Sequence, residues 1–246
     1  MSFSFVLANQ EDVPSMGKLF GLAFASDSHT QVKLLAKPMS EMVNEMNAAL
    51  TSWLDKPERC LVIKAVEKST NRIVGWVCWA HHGAENTVSA ASQVEEREQV
   101  DGSEASNPSE NQQSDSNNNN TEEEKDSLRQ MERQTDGDME RWMQKIMPIG
   151  TRCMILACLV VDPAFQSRGI GSALIQKGIE RADKEGIFSW VHASEAGHYA
   201  FSKEGFQVKE TFELDLDEYA PLPREEDESW GTYTFRYMIR TPRISQ

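Results

Sequence analysis

The stretch that decides the fold runs from Leu159 to Leu174 and reads LVVDPAFQSRGIGSAL. It begins like a buried strand, stops at Asp162-Pro163, and becomes helical near Gly171. A loop between a strand and a helix N-terminus presents backbone N–H groups, and the helix dipole adds about half a positive charge. Glycine in such a loop lets an anion approach the main chain without meeting a Cβ. The segment therefore predicts a phosphate-binding site.

Two common phosphate-binding motifs do not fit this segment. A nucleotide triphosphate loop needs Gly-Lys-Ser/Thr at its end, whereas Ser172-Ala173 follow Gly171 and the next lysine is Lys177. A dinucleotide fingerprint needs Gly or Ala three positions after its second glycine, and that position holds Leu174. These departures exclude a P-loop and disfavour a Rossmann site.

The pattern that remains is V-x-P followed by Q-x-x-G-x-G, which ends at Gly171. It resembles the acyl-CoA loop of the GNAT superfamily of N-acetyltransferases. The resemblance continues through a helix at 171–185 and a strand at 187–194 to Gly205-Phe206, where the family opens its next strand. It implies an α/β fold in which a mixed central sheet of about seven strands, with splayed central parallel strands, is flanked by helices.

The flanking segments predict the remaining elements in the order that this fold requires. Alternating apolar residues predict strands, and helical spacing with caps at Asp12 and Gly186 predicts helices. The predicted elements are strand 3–8, helix 12–24, helix 39–54, strands 60–66 and 72–79, helix 137–147, strand 154–161, helix 171–185, strand 187–194, helix 197–203, and strands 212–217 and 232–240.

One segment lacks the composition of a folded core. Residues 85–127 contain twelve acidic and two basic residues and include the run Asn117–Asn120. Such a segment cannot bury enough apolar surface to offset the entropy of ordering. We therefore predict a single N-acetyltransferase domain over residues 1–246, interrupted by a disordered acidic insertion at about residues 85–135.

Charge and cysteine usage narrow the function classes. The net charge of −14 comes without a basic stripe, which disfavours nucleic acid as a partner. Cys60, Cys78, Cys153 and Cys158 lack C-x-x-C spacing, which predicts core thiols in a reducing compartment and no metal. Neither a signal peptide nor a membrane span is recognisable, so we expect a cytoplasmic or nuclear protein without a membrane partner. The oligomeric state stays open.

The resemblance implies acetyl-CoA as co-substrate. In the family, the strand before the phosphate loop bulges away from its neighbour, so pantetheine can pair with its backbone as an added strand. One backbone N–H of that strand would polarise the thioester oxygen. The implied acyl-CoA-binding residues are Leu159, Val160, Val161, Gln166, Ser167, Arg168, Gly169, Ile170, Gly171, Ser172, Ser194 and Phe201.

The usual general acid of the family is missing. Its tyrosine lies five residues before the Phe of Gly-Phe, and that position holds Phe201, which can pack against pantetheine but cannot donate a proton. Tyr199 lies about 200° around a helix and is expected to face elsewhere. His198 is one turn before Phe201 and is the predicted catalytic participant, with a solvent-facing histidine as the alternative.

The general base stays open. Some members use a glutamate on the central strand, but residues 151–161 contain no carboxylate. The candidates are Glu195, His192, the pair His81-His82, and a water chain that ends on a backbone carbonyl.

The leading hypothesis is an N-acetyltransferase that acts on a primary amine of a small molecule or protein. The acidic segment Glu213–Glu228 lies near the family's acceptor entrance and would attract a cationic amine, although a solvated loop also explains it. The alternative is a catalytically silent acyl-CoA-binding sensor or scaffold, motivated by Phe201 and the missing strand carboxylate. A non-acetyl acyl donor also stays open.

Overall fold

The fold is an open seven-stranded sheet with helices on both faces. A computed structural model describes residues 2–83, 118–224 and 228–243, with the backbone alone described at 118–125. The strands are β1 (Phe3–Leu7), β2 (Cys60–Glu67), β3 (Arg72–His82), β4 (Cys153–Val161), β5 (Phe188–Ala193), β6 (Gln207–Asp215) and β7 (Thr232–Arg240). The helices are α1 (Val13–Phe24), α2 (Ser28–Leu34), α3 (Met39–Leu54), α4 (Asn118–Ile146), α5 (Ile170–Glu185) and α6 (His198–Lys203). Among the helices described, none is long and apolar enough to cross a membrane.

The sheet confirms the predicted fold class. Its strand order is β1-β2-β3-β4-β5-β7-β6. The pair β4–β5 is parallel, and all other neighbouring strands are antiparallel. The long connection that a parallel pair requires is supplied by α5.

The two parallel strands separate halfway along their length. β4 pairs with β5 only from Cys153 to Leu156, and no pairing between them is recorded for the rest of β4. On its other side, β4 shifts register against β3 between Cys78 and Trp79, so that Ala157 is the extra residue of a bulge. A bulge bends its strand and increases the local twist. The second half of β4 therefore presents a backbone edge that β5 does not cover.

Different helices cover the two faces of the sheet. On one face, Leu174 of α5 is fully buried in an apolar cluster. Close approach there requires Gly178, because a Cβ at this position would come within 2.1 Å of the Trp79 indole ring. On the opposite face lie α1 and α3, and the Trp76 indole N–H donates to the Met16 carbonyl of α1 at 3.0 Å. The glycine and the tryptophans thus set how closely the helices approach the sheet.

A short helix between α1 and α3 was not predicted. Asp27 caps α2 by accepting the backbone N–H of Thr30 at 2.9 Å. Val32 is fully buried against the β6–β7 hairpin. An Asp cap precedes this helix, but seven residues make only about two turns. That is too short for the spacing of apolar residues to distinguish a helix from a loop.

Helix α4 contradicts the predicted extent of the disordered insertion. The insertion was expected to reach about residue 135, with a helix from Gly137, but α4 begins at Asn118. Leu128 and Met131 are buried in the same cluster as the β6–β7 hairpin. The burial of these apolar side chains offsets the entropy that is lost when this mostly polar segment becomes ordered. The rest of the predicted insertion, residues 84–117, lies outside the described residues.

Replacing Met131 by alanine tests whether α4 belongs to the core. Met131 is fully buried, so truncation should lower the free energy of unfolding by about 2–5 kcal/mol in denaturant titrations. Arg133→Ala, at an exposed position of the same helix, should change it by less than about 0.5 kcal/mol. Equal stability of the two variants would contradict the packing of α4.

Candidate active site

A cavity of about 640 Å³ opens where β4 and β5 separate. β4 and the loop after it form one wall, and the turn after β5 together with α6 forms a second. The junction of α1 with α2 and the β6–β7 hairpin form the third. The lining residues, wall by wall, are Leu159, Val161, Phe165, Gln166, Ser167, Gly169, Ile170, Gly171 and Ser172; Ser194, Glu195, Ala196, Gly197, Tyr199, Ala200 and Lys203; and Ala23, Phe24, Ser26, Asp27, Ser28, Arg224 and Tyr233.

The loop before α5 has the backbone shape of an anion site. Ser167 (φ 59°) and Gly169 (φ 78°) both adopt left-handed conformations, and such alternation turns successive N–H groups toward one side. No side chain caps α5 at Gly169, which leaves the N–H groups of its first turn without a capping partner. A Cβ on Gly171 would lie 3.8 Å from Val161, so the side chain of a substituted residue would enter the cavity rather than the core.

Contacts within the loop hold its shape. Asp162 ends β4, accepts the backbone N–H of Ala164 at 2.9 Å and forms an ion pair with Arg72 of β3. Arg168 donates to the carbonyl of Ala164 at 3.0 Å and lies 5.0 Å over the ring of Phe165. The loop is therefore anchored to β3 by a charged pair and closed on itself by Arg168.

Most of the predicted acyl-CoA-binding residues come together in this cavity. Nine of them line it, namely Leu159, Val161, Gln166, Ser167, Gly169, Ile170, Gly171, Ser172 and Ser194. Val160 is fully buried in the cluster beneath α1, as strand alternation requires, so only its main chain can serve the predicted role. Arg168 is adjacent in sequence but lies outside the lining set.

Helix α6 is rotated relative to the prediction. Phe201 is buried and packs against Phe206 with ring centroids 5.8 Å apart, whereas Tyr199 lines the cavity. The expectation that Tyr199 faces away from the site was therefore wrong. The angular separation of the two residues was right, but the apolar core takes the phenylalanine and leaves the tyrosine facing the cavity.

His198 lies beside the cavity and not in its lining. Its Nδ1 is 2.6 Å from the carbonyl of Glu195, and its ring centroid is 3.9 Å from that of Tyr199. Donation from Nδ1 to the carbonyl leaves Nε2 as the nitrogen able to accept a proton. The ring of His198 thus contacts Tyr199, which lines the cavity.

The three histidines proposed as bases lie outside the cavity lining. His192 is stacked between Phe235 and Tyr237, at centroid distances of 4.4 and 4.6 Å, and burial lowers its pKa to about 4. His81 contacts Glu185 at 2.7 Å, near the start of β4 and away from the phosphate loop. His82 pairs in register with the first residue of β4, so it lies at the same end.

Glu195 is the proposed base that the structure brings into the cavity. Its Oε1 accepts the backbone N–H of Thr234 at 3.1 Å, which ties the turn after β5 to β7. Near it, the Tyr233 hydroxyl donates to Asp27 Oδ1 at 2.7 Å. The sequence interpretation missed both Asp27 and Tyr233, because only the tertiary fold joins the start of α2 to the last strand.

The described residues form neither a metal-binding cluster nor a disulfide. No group of three or more His, Cys, Asp or Glu side chains in the described parts of the chain is arranged to hold a metal ion. All four cysteines are unpaired; Cys78 and Cys153 are buried, and Cys60 and Cys158 are half-buried. The cavity thus offers carboxylates, hydroxyls and main-chain donors as its reactive and binding groups.

Comparisons with known proteins agree with this architecture. The Acetyltransferase (GNAT) family matches residues 135–206. An uncharacterised N-acetyltransferase of Methanocaldococcus jannaschii is 46% identical over 56 residues, which are 21% of this chain and 25% of that relative. The match thus spans about a quarter of that protein's length.

Solved structures share the fold over the whole chain. Arylalkylamine N-acetyltransferase 2 of Aedes aegypti has a TM-score of 0.58 at 13% identity, covering 99% of this chain and 100% of that chain. The Corynebacterium glutamicum "histone acetyltransferase HPA2 and related acetyltransferase" has a TM-score of 0.51 at 15% identity, covering 100% and 99%. The match at residues 135–206 includes the loop before α5, and the chain is similar to GNAT acetyltransferases in that part of its sequence and in its fold.

Proposed function

We propose that this protein is an enzyme that transfers an acetyl group from acetyl-CoA to a primary amine. One observation carries the proposal: a single cavity joins an anion-binding loop to an end that contains carboxylates. The loop suits the diphosphate of the donor, and the carboxylates suit a cationic acceptor. Its volume of about 640 Å³ lies within the range of small-molecule sites, about 300–1,000 Å³.

The residues at the loop fit the charged part of CoA. The left-handed positions Ser167 and Gly169 and the uncapped start of α5 offer backbone N–H donors, which bind phosphate oxygens. Lys203 lines the same cavity and adds a positive charge. The uncovered edge of β4 at Leu159 and Val161 can pair with the amides of pantetheine, as an added strand does.

The chemistry at the other end requires a base and a proton donor. When bound, acetyl-CoA supplies a thioester carbonyl for attack by the amine. Glu195 takes the proton of the ammonium, because Thr234 holds its Oε1 and none of the residues described donates to its other oxygen. Backbone N–H groups of the open half of β4 stabilise the developing oxyanion. Tyr199 is the phenol in the wall that can return a proton to the departing sulfur.

The carboxylates of the cavity favour a cationic acceptor. Asp27 and Glu195 both line it, on walls other than the one formed by β4 and the loop before α5. Arg224 lines the same wall as Asp27, so the attraction for a cation comes from the two carboxylates and not from the net charge of the cavity. A primary ammonium therefore enters more readily than a neutral or anionic nucleophile.

Glu195→Gln tests the catalytic part of the proposal. We expect thiol release with 2-phenylethylamine, 1,4-diaminobutane or a lysine-containing peptide at saturating acetyl-CoA, and we expect the variant to lower kcat by about 10²- to 10⁴-fold. The amide still accepts the N–H of Thr234, so folding and acetyl-CoA affinity should not change.

Glu213→Gln is the matched control, because it makes the same exchange at an exposed position of the hairpin outside the cavity lining. It should retain kcat. Acetyl-CoA binding without thiol release by the wild type, with all three amines, would instead support the sensor alternative.

Gly171→Asp tests donor binding separately from chemistry. The aspartate side chain enters the cavity beside Val161 and places a negative charge next to the bound diphosphate, so acetyl-CoA affinity should fall more than about tenfold by calorimetry. Gly171→Asn has the same shape without the charge and should lose much less affinity. Equal acetyl-CoA affinities of the wild type and Gly171→Asp would refute the assignment of this loop.

A further inference from the structure

A tyrosine and an aspartate from opposite ends of the chain meet in the cavity wall. The Tyr233 hydroxyl donates to Asp27 Oδ1 at 2.7 Å, across a sequence separation of 206 residues, and both residues line the cavity. Tyr233 belongs to β7, and Asp27 precedes α2. Neither is part of the phosphate loop, so this pair lies at the end that we assign to the acceptor.

The orientation of Asp27 is fixed from its other side. Oδ2 accepts both the backbone N–H and the hydroxyl of Thr30, each at 2.9 Å. With Oδ1 engaged by Tyr233, each carboxylate oxygen has a donor, and none of these donors is a cation. The pair therefore brings a negative charge to the cavity wall that its own hydrogen bonds do not neutralise.

This arrangement makes the Tyr233 oxygen a hydrogen-bond acceptor. Its proton is committed to Asp27, so only its lone pairs remain for a ligand. Burial, together with the charge of Asp27, raises the pKa of the Tyr233 phenol, which keeps it protonated at neutral pH. A ligand group that binds this oxygen must donate a hydrogen bond, and the nearby carboxylate of Asp27 favours a group with a positive charge. An ammonium group meets both conditions.

A second tyrosine–aspartate pair on β7 provides an internal comparison. Tyr237, four residues further along the strand and on the same face, donates to Asp138 Oδ2 at 2.6 Å. Both tyrosines are buried, with exposed fractions of 2% for Tyr233 and 0% for Tyr237. Tyr233 lines the cavity, whereas Tyr237 stacks on Trp142 and is absent from the lining. The two pairs share their chemistry and differ in location, so any effect specific to the acceptor has to come from the Tyr233 pair.

We propose that Tyr233 binds and orients the amine of the acceptor, with Asp27 as its positioning residue. This assignment rests on the proposed transfer of an acetyl group to an amine. The hydroxyl oxygen accepts one N–H of the ammonium, and Glu195, bound to the backbone next to Tyr233, takes the proton that must leave before attack. Recognition and deprotonation of the acceptor are thus divided between neighbouring groups.

Tyr233→Phe is the direct test, because it keeps the ring that packs on His29 and Phe235 and removes only the hydroxyl. Loss of a hydrogen bond to a charged group should raise the KM of the best of the three amines about ten- to a hundredfold. kcat should change by less than about threefold, and the KM for acetyl-CoA should stay constant. Tyr237→Phe, the matched control, should leave the amine KM unchanged.

Asp27→Asn distinguishes positioning from packing. Asparagine can still cap α2, so the fold should persist while the amine KM rises as in Tyr233→Phe. The double variant should be no worse than Tyr233→Phe alone, because Asp27 acts through that hydroxyl.

Two results would overturn the assignment. One is an equal amine KM for Tyr233→Phe and Tyr237→Phe, and the other is a double variant in which the two effects multiply. Both leave acetyl transfer intact, since the wild type still releases thiol. A wild type that binds acetyl-CoA and releases no thiol with any of the three amines would overturn the proposed function and this assignment together.

Discussion

The separation of β4 from β5 is the constraint on which the site depends. Beyond Leu156 the backbone of β4 is not covered by β5, and the extra residue Ala157 bends the strand at that point. A sheet that stayed paired over its full length would leave neither a cavity nor an open edge at the start of α5. The open edge is tolerable because the gap is polar and accessible to a ligand or water, which can satisfy the backbone groups. The cavity that this separation opens is the space that Ser167 and Gly169 line.

Local sequence predicted the part of the cavity formed by β4 and the loop before α5, and tertiary contacts created the part that contains Asp27 and Tyr233. The phosphate loop, the helix after it and the central strand are contiguous, so spacing and residue type were enough to predict them. Asp27, Glu195 and Tyr233 come from three separate elements, and the sheet order alone places the last strand beside β5. Tyr199 and Phe201 show the same limit, because periodicity gives the angle between two residues and not which of them faces the core.

The first part of helix α4, residues 118–135, was missed because few of its residues are apolar. Leu128, Met131 and Trp142 are buried at helical spacing, but Asp138 lies on the same stripe and accepts the Tyr237 hydroxyl at 2.6 Å. The composition of residues 118–135 is polar because it averages over the exposed face, and the buried apolar residues Leu128 and Met131 are few by comparison. The low apolar content of residues 118–135 was therefore poor evidence for disorder.

Tyrosine hydroxyls of β7 tie two helices to the sheet. Tyr233 holds the start of α2 through Asp27, and Tyr237 holds α4. The two helices also contact each other, because Lys33 of α2 lies 3.4 Å from Glu132 of α4. Hydrogen bonds of this kind fix the position of each helix on the sheet, because a displaced helix would leave the hydroxyl or the carboxylate without a partner. Asp27 is held by Tyr233 and Thr30, and Asp138 of α4 is held by Tyr237, so the two helices have separate anchors on β7.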